Sequence, residues 1–471
     1  MIPRQSMECP LSVIAQSHPS DLYLQLQDRS ITFADLHHTV ISCSQQLQDH
    51  PQKIPFAILG SDPHRVLAYL FAAARTGRII AITSTKDPIA VRSVWLEKQG
   101  ISSISEQWCT PHSRSHPIQD PLYRIADPHA PLCILFTSGS SGQPKAVVHS
   151  FASLWSSAIF SAENIAFRRG DRWLLSLSLW HIGGLMIPLR ALYGGASIVE
   201  KDPSKDLGSQ IDRDHITHLS VVATQLQDLL KGGASFRSLK AILVGGGMIP
   251  PRLVSQALMR RLPIHTTYGM TELSSQLCTT PPNANPTLLE SAGSPLGDWK
   301  IRIGDHQEIQ VSGSPLFLGY WDPSEKDHPV YPLPIHDPRD ADGFFATGDT
   351  GIFQDNRLYP TGRVDQMFIS GGENIYPEEI EQILSDVGIF AIVVPIPHER
   401  YGARPIAFIH DSIHGSEITT HLLETIQETL QQRLPKFKHP DHYLPWPPEI
   451  PLLKPPRKVL RERALQWIST I

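Results

Sequence analysis

Apolar runs of strand length alternate with amphipathic stretches along most of this chain. Residues 54–60 (IPFAILG) and 78–83 (RIIAIT) are typical of buried strands. Residues 65–77 between them have helical spacing and end in glycine, which is a common helix stop. Residues 218–247 repeat the order strand, helix, strand. Strands interleaved with helices predict an α/β fold in which parallel or mixed sheets are flanked by helices.

The pattern changes after residue 361. A helix is predicted to begin at Pro377, because proline suits the first helical turn and the two glutamates that follow favour a helix N-terminus. Two strand patterns follow at residues 390–396 and 404–410. The next helix is predicted to open at Ser416 and to bury one face, formed by Leu423, Ile426, Leu430 and Leu434.

These two patterns define the expected domains. We expect a large N-terminal α/β domain over residues 1–363 and a small α+β C-terminal domain over residues 364–471. At roughly 150 residues per domain, the length of 471 residues suggests about three domain-sized units.

Composition excludes several classes of function. The chain carries 41 basic and 46 acidic side chains, a net charge of −5, and no basic block suited to nucleic acid. Its five cysteines are scattered without a CxxC pair, which favours reduced thiols over a disulfide framework or a zinc site. No apolar stretch is long enough to span a bilayer, and the N-terminal apolar run is too short for a signal peptide. We therefore expect a soluble, cytoplasmic protein.

The sequence TSGSSGQPK over residues 137–145 carries the strongest chemical signal. Glycines let backbone N–H groups turn toward an anion, the hydroxyl residues add donors, and Lys145 adds a mobile positive charge. An apolar run at residues 131–136 is the strand expected to lead into this loop. Such a loop suits a polyphosphate, although Ser/Gly tracts also occur as flexible linkers. The candidate phosphate-binding residues are Thr137, Ser138, Gly139, Ser140, Ser141, Gly142 and Lys145.

The loop differs from the P-loop of phosphotransferases. In that motif the lysine directly follows the last glycine, and a hydroxyl residue comes next. Here Gln143 and Pro144 separate Gly142 from Lys145, and Ala146 follows. An ordinary P-loop phosphotransferase is therefore disfavoured.

Three further segments carry residue types that suit a nucleotide. Residues 266–273 (TTYGMTEL) offer an aromatic ring, a hydroxyl and a carboxylate, which suit a base, a phosphate and a hard cation. Asp349 in ATGDTG is an acceptor that suits ribose hydroxyls, and Arg363 in TGRVDQ adds a positive charge. Each segment taken alone is equally compatible with a turn or a surface charge.

These segments, together with residues 370–379 (SGGENIYPEE) and 455–461 (PPRKVLR), resemble the ordered motifs of the adenylate-forming superfamily. That superfamily includes acyl-CoA synthetases, carrier-loading adenylation domains and luciferases. The resemblance spans residues 137–461 and is looser before them. It implies an enzyme that joins a carboxylic acid to AMP, releases diphosphate and passes the acyl group to the thiol of CoA. The implied ligands are a small carboxylic acid, ATP, Mg²⁺ and CoA, with no nucleic acid partner and the oligomeric state left open.

The resemblance also implies roles for single residues of the nucleotide site. Tyr268 would stack on adenine, Thr271 would contact the α-phosphate and Glu272 would hold Mg²⁺. Asp349 would accept hydrogen bonds from the ribose, and Arg363 would reach the ribose and phosphates.

Further roles follow from the same resemblance, and most of them fall near or within the C-terminal domain. Asp365 matches the hinge between the domains, and Gly371 and Gly372 match a glycine pair beside the channel for the pantetheine arm of CoA. Gly246, in ILVGGGMIP, is a further candidate for the nucleotide site.

The superfamily carries a catalytic lysine near its C-terminus, usually preceded by glycine. Lys458 fits this position, but the preceding residue is Arg457, and Lys454 is the alternative lysine. The resemblance implies that a rotation about Asp365 removes this lysine from the site between the two half-reactions.

Residues 177–196 resemble the acyl-pocket region of acyl-CoA synthetases, with His181 near the carboxylate. The segments VVATQLQDLL, ILVGGGMIP and TYGMTELSSQ most resemble ligases whose aromatic acid bears a second carboxylate. Ser274 is a candidate pocket residue, with Ser275 and Gln276 weaker. Arg190 is the single Lys, Arg, Asp or Glu within WHIGGLMIPLRALYGGASI. Our hypothesis is that it pairs with that second carboxylate; the alternative is an arginine that extends its charge to water.

Other functions stay open from the sequence. The chain could act on a different aryl or acyl acid, or load a carrier protein in place of free CoA. A non-catalytic nucleotide-binding protein and a phosphotransferase that yields ADP are more distant alternatives. The intact Lys145, Glu272, Asp349 and Lys458 argue against a non-catalytic protein. Residues 321–343, rich in proline and charge, have no assigned function.

Overall fold

The computed structural model describes residues 7–49, 55–84, 96–97, 100–103, 124–137, 145–247, 249–322, 335–411, 415, 418–452 and 456–469. Internal contacts divide the chain into two compact units. The first unit comprises Met1–Gly247, Ala257–Lys300 and Val311–Phe345, and the second comprises Met248–Gln256, Ile301–Gln310 and Ala346–Ile471. The predicted domain limits at residues 363 and 364 stay a prediction.

The described strands are mostly short. Those of the first half of the chain are β1 (Met7–Glu8), β2 (Leu22–Gln25), β3 (Ser30–Thr32), β4 (Phe56–Leu59), β5 (Ile80–Thr83), β6 (Ser102–Ser103), β7 (Arg124–Ile125), β8 (Pro131–Thr137), β9 (Lys145–Ser150), β10 (Arg172–Leu175), β11 (Ser197–Glu200) and β12 (His218–Val221). Those of the second half are β13 (Ala241–Val244), β14 (Ile264–Tyr268), β15 (Cys278–Thr279), β16 (Ser294–Pro295), β17 (Lys300–Ile303), β18 (Glu308–Ser312), β19 (Gly319–Trp321), β20 (Ile335–His336), β21 (Phe345–Gln354), β22 (Arg357–Arg363), β23 (Phe368–Ser370), β24 (Glu373–Ile375), β25 (Ile389–His398), β26 (Gly402–Asp411) and β27 (His442–Pro445).

The described α-helices lie between these strands. They are α1 (Pro10–Ser17), α2 (Phe33–Asp49), α3 (Pro63–Thr76), α4 (Phe151–Asn164), α5 (Ile182–Gly194), α6 (Leu207–Arg213), α7 (Ala223–Lys231), α8 (Pro251–Met259), α9 (Pro286–Leu289), α10 (Pro377–Asp386), α11 (Thr420–Arg433) and α12 (Arg457–Ile468). Within the described ranges, none of these helices has the length and apolarity that a membrane crossing requires.

Two large mixed sheets organise the first unit. One has nine strands in the order β16-β15-β14-β13-β12-β10-β11-β2-β3, with parallel pairs from β14 to β2 and antiparallel pairs at both ends. The other has seven strands in the order β20-β19-β9-β8-β5-β4-β6, parallel from β8 to β6 and antiparallel beyond. The predicted α/β class, with mixed sheets and flanking helices, is confirmed.

Helix α3 shows how the sequence fixes one of these elements. The Asp62 side chain accepts hydrogen bonds from the N–H groups of His64 and Arg65, and the helix ends at Gly77, whose φ of 65° is left-handed. Every residue from Val66 to Arg75 is buried. Burial of each large apolar side chain contributes about 1.5–3 kcal/mol, so α3 is a central part of the core.

The second unit contains smaller sheets. Strands β25 and β26 pair antiparallel along their whole lengths, and β27 joins β26 in parallel. A second sheet has the order β17-β18-β21-β22, and β23 and β24 form a hairpin. The strands predicted at residues 390–396 and 404–410 are therefore confirmed as parts of β25 and β26.

The three-stranded sheet is buried on both faces because its side chains alternate. Ala391 and Val393 point into a cluster with helices α10 and α11, whereas Ile392 and Val394 point into a cluster with α12. This α+β unit therefore has helices on both sides of one sheet.

Helix α11 begins later than the sequence predicts. Its first residue is Thr420, and the Thr419 hydroxyl accepts a hydrogen bond from the Leu422 N–H, so the predicted start at Ser416 is wrong. Ser416 itself lies outside the described residues. The buried residues of the helix are Leu422, Ile426 and Leu430, at a constant spacing of four, and Leu423 is only half-buried.

Candidate active site

The two ends of the predicted phosphate loop lie side by side. Thr137 ends β8 and Lys145 begins β9, and they are partners in the antiparallel register of these strands. Thr137 is half-buried and Lys145 is exposed. The predicted residues between them (Ser138, Gly139, Ser140, Ser141 and Gly142) lie outside the described part of the chain.

A tyrosine connects the phosphate-loop lysine to the predicted magnesium ligand. The Lys145 ammonium lies 5.1 Å from the centroid of the Tyr320 ring, which is within cation–π range. The Tyr320 hydroxyl donates a hydrogen bond of 2.9 Å to Glu272 Oε1. The first unit therefore brings Lys145 and Glu272 to one side chain, the lysine over its ring and the glutamate at its hydroxyl. Sequence analysis missed Tyr320, because nothing local to it signals a carboxylate so distant in the chain.

The YGMTEL segment is a strand end followed by a tight turn. Tyr268 is the last residue of β14, and Thr271–Leu273 form a single 3₁₀ turn in which Thr271 is half-buried and Glu272 buried. A Cβ added at Gly269 would lie 1.4 Å from the carbonyl oxygen of Ser275, so no side chain fits there. The chain after the turn therefore folds back against its start.

The parallel strands of the nine-stranded sheet place two candidate nucleotide-binding residues at one edge of the sheet. Strands β13 and β14 are parallel neighbours, so their carboxyl ends meet at the same edge of the sheet. Gly246 follows β13 and is exposed, and Tyr268 ends β14 and is half-buried. Crevices at this edge are the usual place for ligands in open α/β sheets.

Glu272 has the chemistry of a magnesium ligand. Within the described ranges, no group of three or more His, Cys, Asp or Glu side chains could hold a metal by itself. Magnesium at nucleotide sites usually binds one or two carboxylates together with substrate phosphates. The buried carboxylate of Glu272 fits that donor set, because the phosphates would supply the remaining charge.

Arg190 is a buried cation on helix α5. Its side chain is 2% exposed, and its guanidinium lies 5.8 Å from the centroid of the Trp173 ring. One nitrogen donates to the Ser275 hydroxyl at 3.0 Å, whereas Nε has no hydrogen-bond partner among the described residues. Burial lowers the pKa of Arg190 to about 9. The alternative of a charge extended to water is therefore wrong, because the guanidinium is inside the protein.

The other predicted pocket residues occupy different environments. His181 precedes the first turn of α5 and is exposed. Ser274 is completely buried, and its hydroxyl donates to the Pro315 carbonyl at 2.7 Å and lies 3.2 Å from His149 Nδ1. The Ser274 hydroxyl is thus engaged within the protein. Its predicted contact with substrate, like that of His181, stays a prediction.

In the second unit, three predicted residues form one charged cluster. Arg363 donates to Asp349 at 2.7 Å and to the two carboxylate oxygens of Asp365 at 3.2 and 3.3 Å. Arg363 is the last residue of β22, and Asp349 in β21 is its register partner. The predicted ribose ligand, its partner arginine and the predicted hinge residue are therefore in direct contact.

The glycine pair forms the turn of the β23–β24 hairpin. Ser370 and Glu373 are register partners, so Gly371 and Gly372 make a two-residue loop. Their φ angles of 60° and 91° are both left-handed, and both residues are exposed. Two-residue hairpin turns of this kind favour glycine because a side chain would strain the backbone.

Lys458 is the second residue of α12 and is exposed. Two turns of the same helix are anchored by Leu460 and Ala464, which are completely buried. The lysine side chain therefore projects from a helix that is fixed to the sheet. The alternative Lys454 lies outside the described residues.

Glu378, at the start of α10, is a buried carboxylate and not a surface charge. Its Oε2 has no hydrogen-bond partner among the described residues, and Oε1 lies 3.5 Å from Arg457. Burial raises the pKa of Glu378 to about 7; the Arg457 guanidinium opposes the rise, and the Glu381 and Asp365 carboxylates add to it. The charged form of Glu378 thus costs the folded chain free energy.

Replacing Glu378 by glutamine is expected to stabilise the protein more at pH 8 than at pH 5, by on the order of 2 kcal/mol in the free energy of unfolding. The unfolded chain releases this proton near the ordinary glutamate pKa of 4.5, whereas the folded chain holds it to about pH 7. The folded state therefore binds more protons between these values, and its stability falls as the pH rises through them.

Denaturant titrations of the parent and variant at pH 5 and pH 8 measure this difference. Glu379→Gln is the control, since it makes the same change at the neighbouring carboxylate, which pairs with Lys438. A stabilisation by Glu378→Gln that is equal at both pH values would contradict the prediction.

Comparisons with known proteins agree with these motifs. A family model described as AMP-binding enzyme matches residues 85–321. A 2-succinylbenzoate–CoA ligase of Enterococcus faecalis is 31% identical over 468 residues, which cover 90% of this chain and 92% of that protein.

Solved structures agree as well. The o-succinylbenzoate CoA synthetase (MenE) from Bacillus subtilis, in complex with the acyl-adenylate intermediate OSB-AMP, superposes with a TM-score of 0.78 and 25% identity over 95% of this chain and 96% of that chain. The same synthetase with ATP and a magnesium ion gives a TM-score of 0.78 and 25% identity over 97% of this chain and 100% of that chain.

Proposed function

Because this chain belongs to the family of AMP-binding enzymes, we propose that it is a 2-succinylbenzoate–CoA ligase. It converts 2-succinylbenzoate, ATP and CoA into 2-succinylbenzoyl-CoA, AMP and diphosphate through an acyl-adenylate. This reaction belongs to the menaquinone and phylloquinone pathway, and we place it in the cytoplasm, where ATP and CoA are available. The single observation that carries the substrate is the buried Arg190, which contacts the segment that bears Tyr268 and Glu272.

The first half-reaction makes the carboxylate reactive. A carboxylate is a poor electrophile at neutral pH and must be activated before a thiol can attack it. One carboxylate oxygen therefore attacks the α-phosphorus of ATP, and diphosphate leaves. The chain's part is positioning and charge stabilisation. Tyr268 holds the base, Asp349 and Arg363 hold the ribose, and Lys145 lies at the diphosphate that will leave.

Charge at the α-phosphate is the main electrostatic demand of this step. Glu272 would hold Mg²⁺, which when bound supplies positive charge at the phosphates. Thr271 donates to the α-phosphate, and the Lys458 ammonium stabilises the negative charge that develops there. Tyr320 fixes the position of the Glu272 carboxylate through its 2.9 Å hydrogen bond.

The second half-reaction transfers the acyl group. The CoA thiol attacks the acyl carbon, and AMP leaves with the electrons of the acyl–phosphate bond. The exposed turn at Gly371 and Gly372 lets a pantetheine arm approach the backbone closely. We keep the prediction that the second unit turns about Asp365 between the two steps, so that Lys458 acts only in the first.

The burial of Arg190 supports a substrate acid that carries two carboxylates. A guanidinium that is 2% exposed and has no carboxylate partner among the described residues is costly to bury. An anionic group of the substrate would supply the missing charge through a bidentate contact. His181, at the start of the same helix, is proposed to lie near the carboxylate that reacts.

One assay tests the function. The purified chain, ATP, Mg²⁺ and CoA are incubated with 2-succinylbenzoate, benzoate and a fatty acid, and AMP, diphosphate and thioester are measured. We expect equal amounts of AMP and thioester with 2-succinylbenzoate and little product with the other acids. Diphosphate release without thioester would indicate carrier loading, and the absence of diphosphate with every acid would overturn the proposal.

A further inference from the structure

Arg457 is the residue directly before the proposed catalytic lysine. It begins helix α12, and the superfamily usually has glycine at this position. Glycine has no side chain that could hold the helix start, whereas Arg457 has a long one that is 23% exposed. The difference changes what fixes Lys458 in this chain.

The Arg457 guanidinium is held by a bidentate ion pair. Its two terminal nitrogens donate to the two carboxylate oxygens of Glu381, at 2.6 and 2.7 Å. The Glu381 side chain is 13% exposed, so the pair is largely removed from water. Such forked, charge-assisted pairs are short and fix the orientation of both groups.

The same network reaches β25, a strand of the three-stranded sheet. Arg457 also donates to the Val393 carbonyl at 3.0 Å, and Glu381 Oε1 accepts from the Val393 N–H at 2.6 Å. Glu381 belongs to α10 and Val393 to β25. The first residue of α12 is therefore tied to a second helix and to the sheet by one closed set of hydrogen bonds.

Besides this network, the described residues hold the start of α12 through the buried Leu460 in its first turn and a 3.2 Å hydrogen bond from Arg461 Nε to the Pro395 carbonyl. Pro456 precedes the helix and makes no side-chain capping hydrogen bond, and the first turn contains no acidic residue. Lys458 is exposed and Val459 is 41% exposed, so neither packs against the sheet. The apolar anchor begins only at Leu460.

We propose that Arg457 is a positioning residue for Lys458: its forked pair with Glu381 fixes the first turn of α12, and with it the point from which the lysine reaches the α-phosphate. The proposal rests on the proposed role of Lys458. Arg457 itself contacts no reacting atom. Its loss should therefore weaken adenylate formation and leave thioester formation from a supplied acyl-adenylate nearly intact.

The full-length chain is tested in both half-reactions. Diphosphate release with ATP, Mg²⁺ and acid reports the first, and thioester release from purified acyl-adenylate and CoA reports the second. Arg457→Met is expected to slow the first by about 10–100-fold, because small displacements of a catalytic group are costly, and the second by less than about 3-fold. Arg457→Lys keeps the charge without the fork and should fall between.

Two further variants separate positioning from folding. Arg463→Met is the control, because Arg463 lies on the same helix and pairs with Glu449 at the surface. The double variant Arg457→Met with Glu381→Met removes the carboxylate of the forked pair, so its melting temperature should recover in large part; Glu378, 3.5 Å from Arg457, still loses its cation. Its first half-reaction should stay slow. Recovery of that rate together with the melting temperature would overturn the proposal and make Arg457 structural.

The outcomes also distinguish this inference from the proposed function. A slow Lys458→Ala variant beside an Arg457→Met variant at the parent rate overturns only the positioning role. Equal losses by Arg457→Met in both half-reactions overturn it as well. A Lys458→Ala variant that forms adenylate at the parent rate overturns the role of the lysine and, with it, that of Arg457.

Discussion

Replacing Lys458 by alanine is expected to slow formation of the acyl-adenylate by about 10²–10³-fold, which is the usual loss when one preorganised charge contact is removed from a transition state. The lysine is exposed at the start of α12, so its removal leaves no buried gap. Rapid-quench measurement of diphosphate release at saturating ATP gives the rate. Thioester formation from supplied acyl-adenylate should stay within about 3-fold of the parent.

The control for this prediction is Arg463→Ala, which removes a positive charge from the same helix at a surface ion pair. It should leave both half-reactions at the parent rate, since exposed pairs contribute little. If Lys458→Ala slows the two half-reactions equally, the lysine does not act on the α-phosphate alone.

Replacing Arg190 by methionine is expected to lower kcat/KM for 2-succinylbenzoate by about 10²–10³-fold, because the free carboxylate then enters a buried site without its partner. Methionine keeps much of the volume of the arginine stem, so the packing against Trp173 is largely retained. The melting temperature should stay the same or rise, because burial penalises the charged guanidinium. Steady-state kinetics and thermal unfolding measure the two effects.

A substrate analogue makes this test specific. The two monocarboxylic analogues of 2-succinylbenzoate each lack one carboxylate, and one of them keeps the carboxylate that is activated. For that analogue, the parent and Arg190→Met should differ by less than about 3-fold, because the pairing is absent in both. Equal losses for substrate and analogue would indicate that Arg190 shapes the pocket without binding a carboxylate.

Local patterns were sufficient to predict many elements of the fold. Helix α3 is marked in the sequence by its apolar spacing and terminal glycine, and the structure adds the Asp62 cap that starts it. Helix α10 begins at Pro377 as predicted, since proline there has no N–H to leave unpaired. The start of α11 was missed because Thr419, and not Ser416, offers the hydroxyl that caps the helix. Short polar stretches contain several possible caps, and only packing selects one.

The residues of the candidate site also fall into those that the sequence indicates and those that only the structure reveals. Motifs point to candidate residues through their neighbours in sequence, such as Tyr268 or the glycine pair at Gly371, and the roles of these residues stay predictions. Tyr320 and Glu381 could not be found in this manner, because each acts through a partner that the fold brings from a distant segment. The burial of a charged side chain also cannot be predicted from local sequence. An arginine within an apolar run can extend its charge to water or lie in the core, and the structure places Arg190 in the core.

The two-faced sheet of the second unit has a practical consequence. Among the described residues, both apolar clusters that cover it are built from residues between 368 and 468. A segment that carries its own core can be exchanged between homologues without redesign of its interior. Chimaeras that join this part of the chain to a relative with another acid preference would therefore separate substrate choice from thioester chemistry in a single construction step.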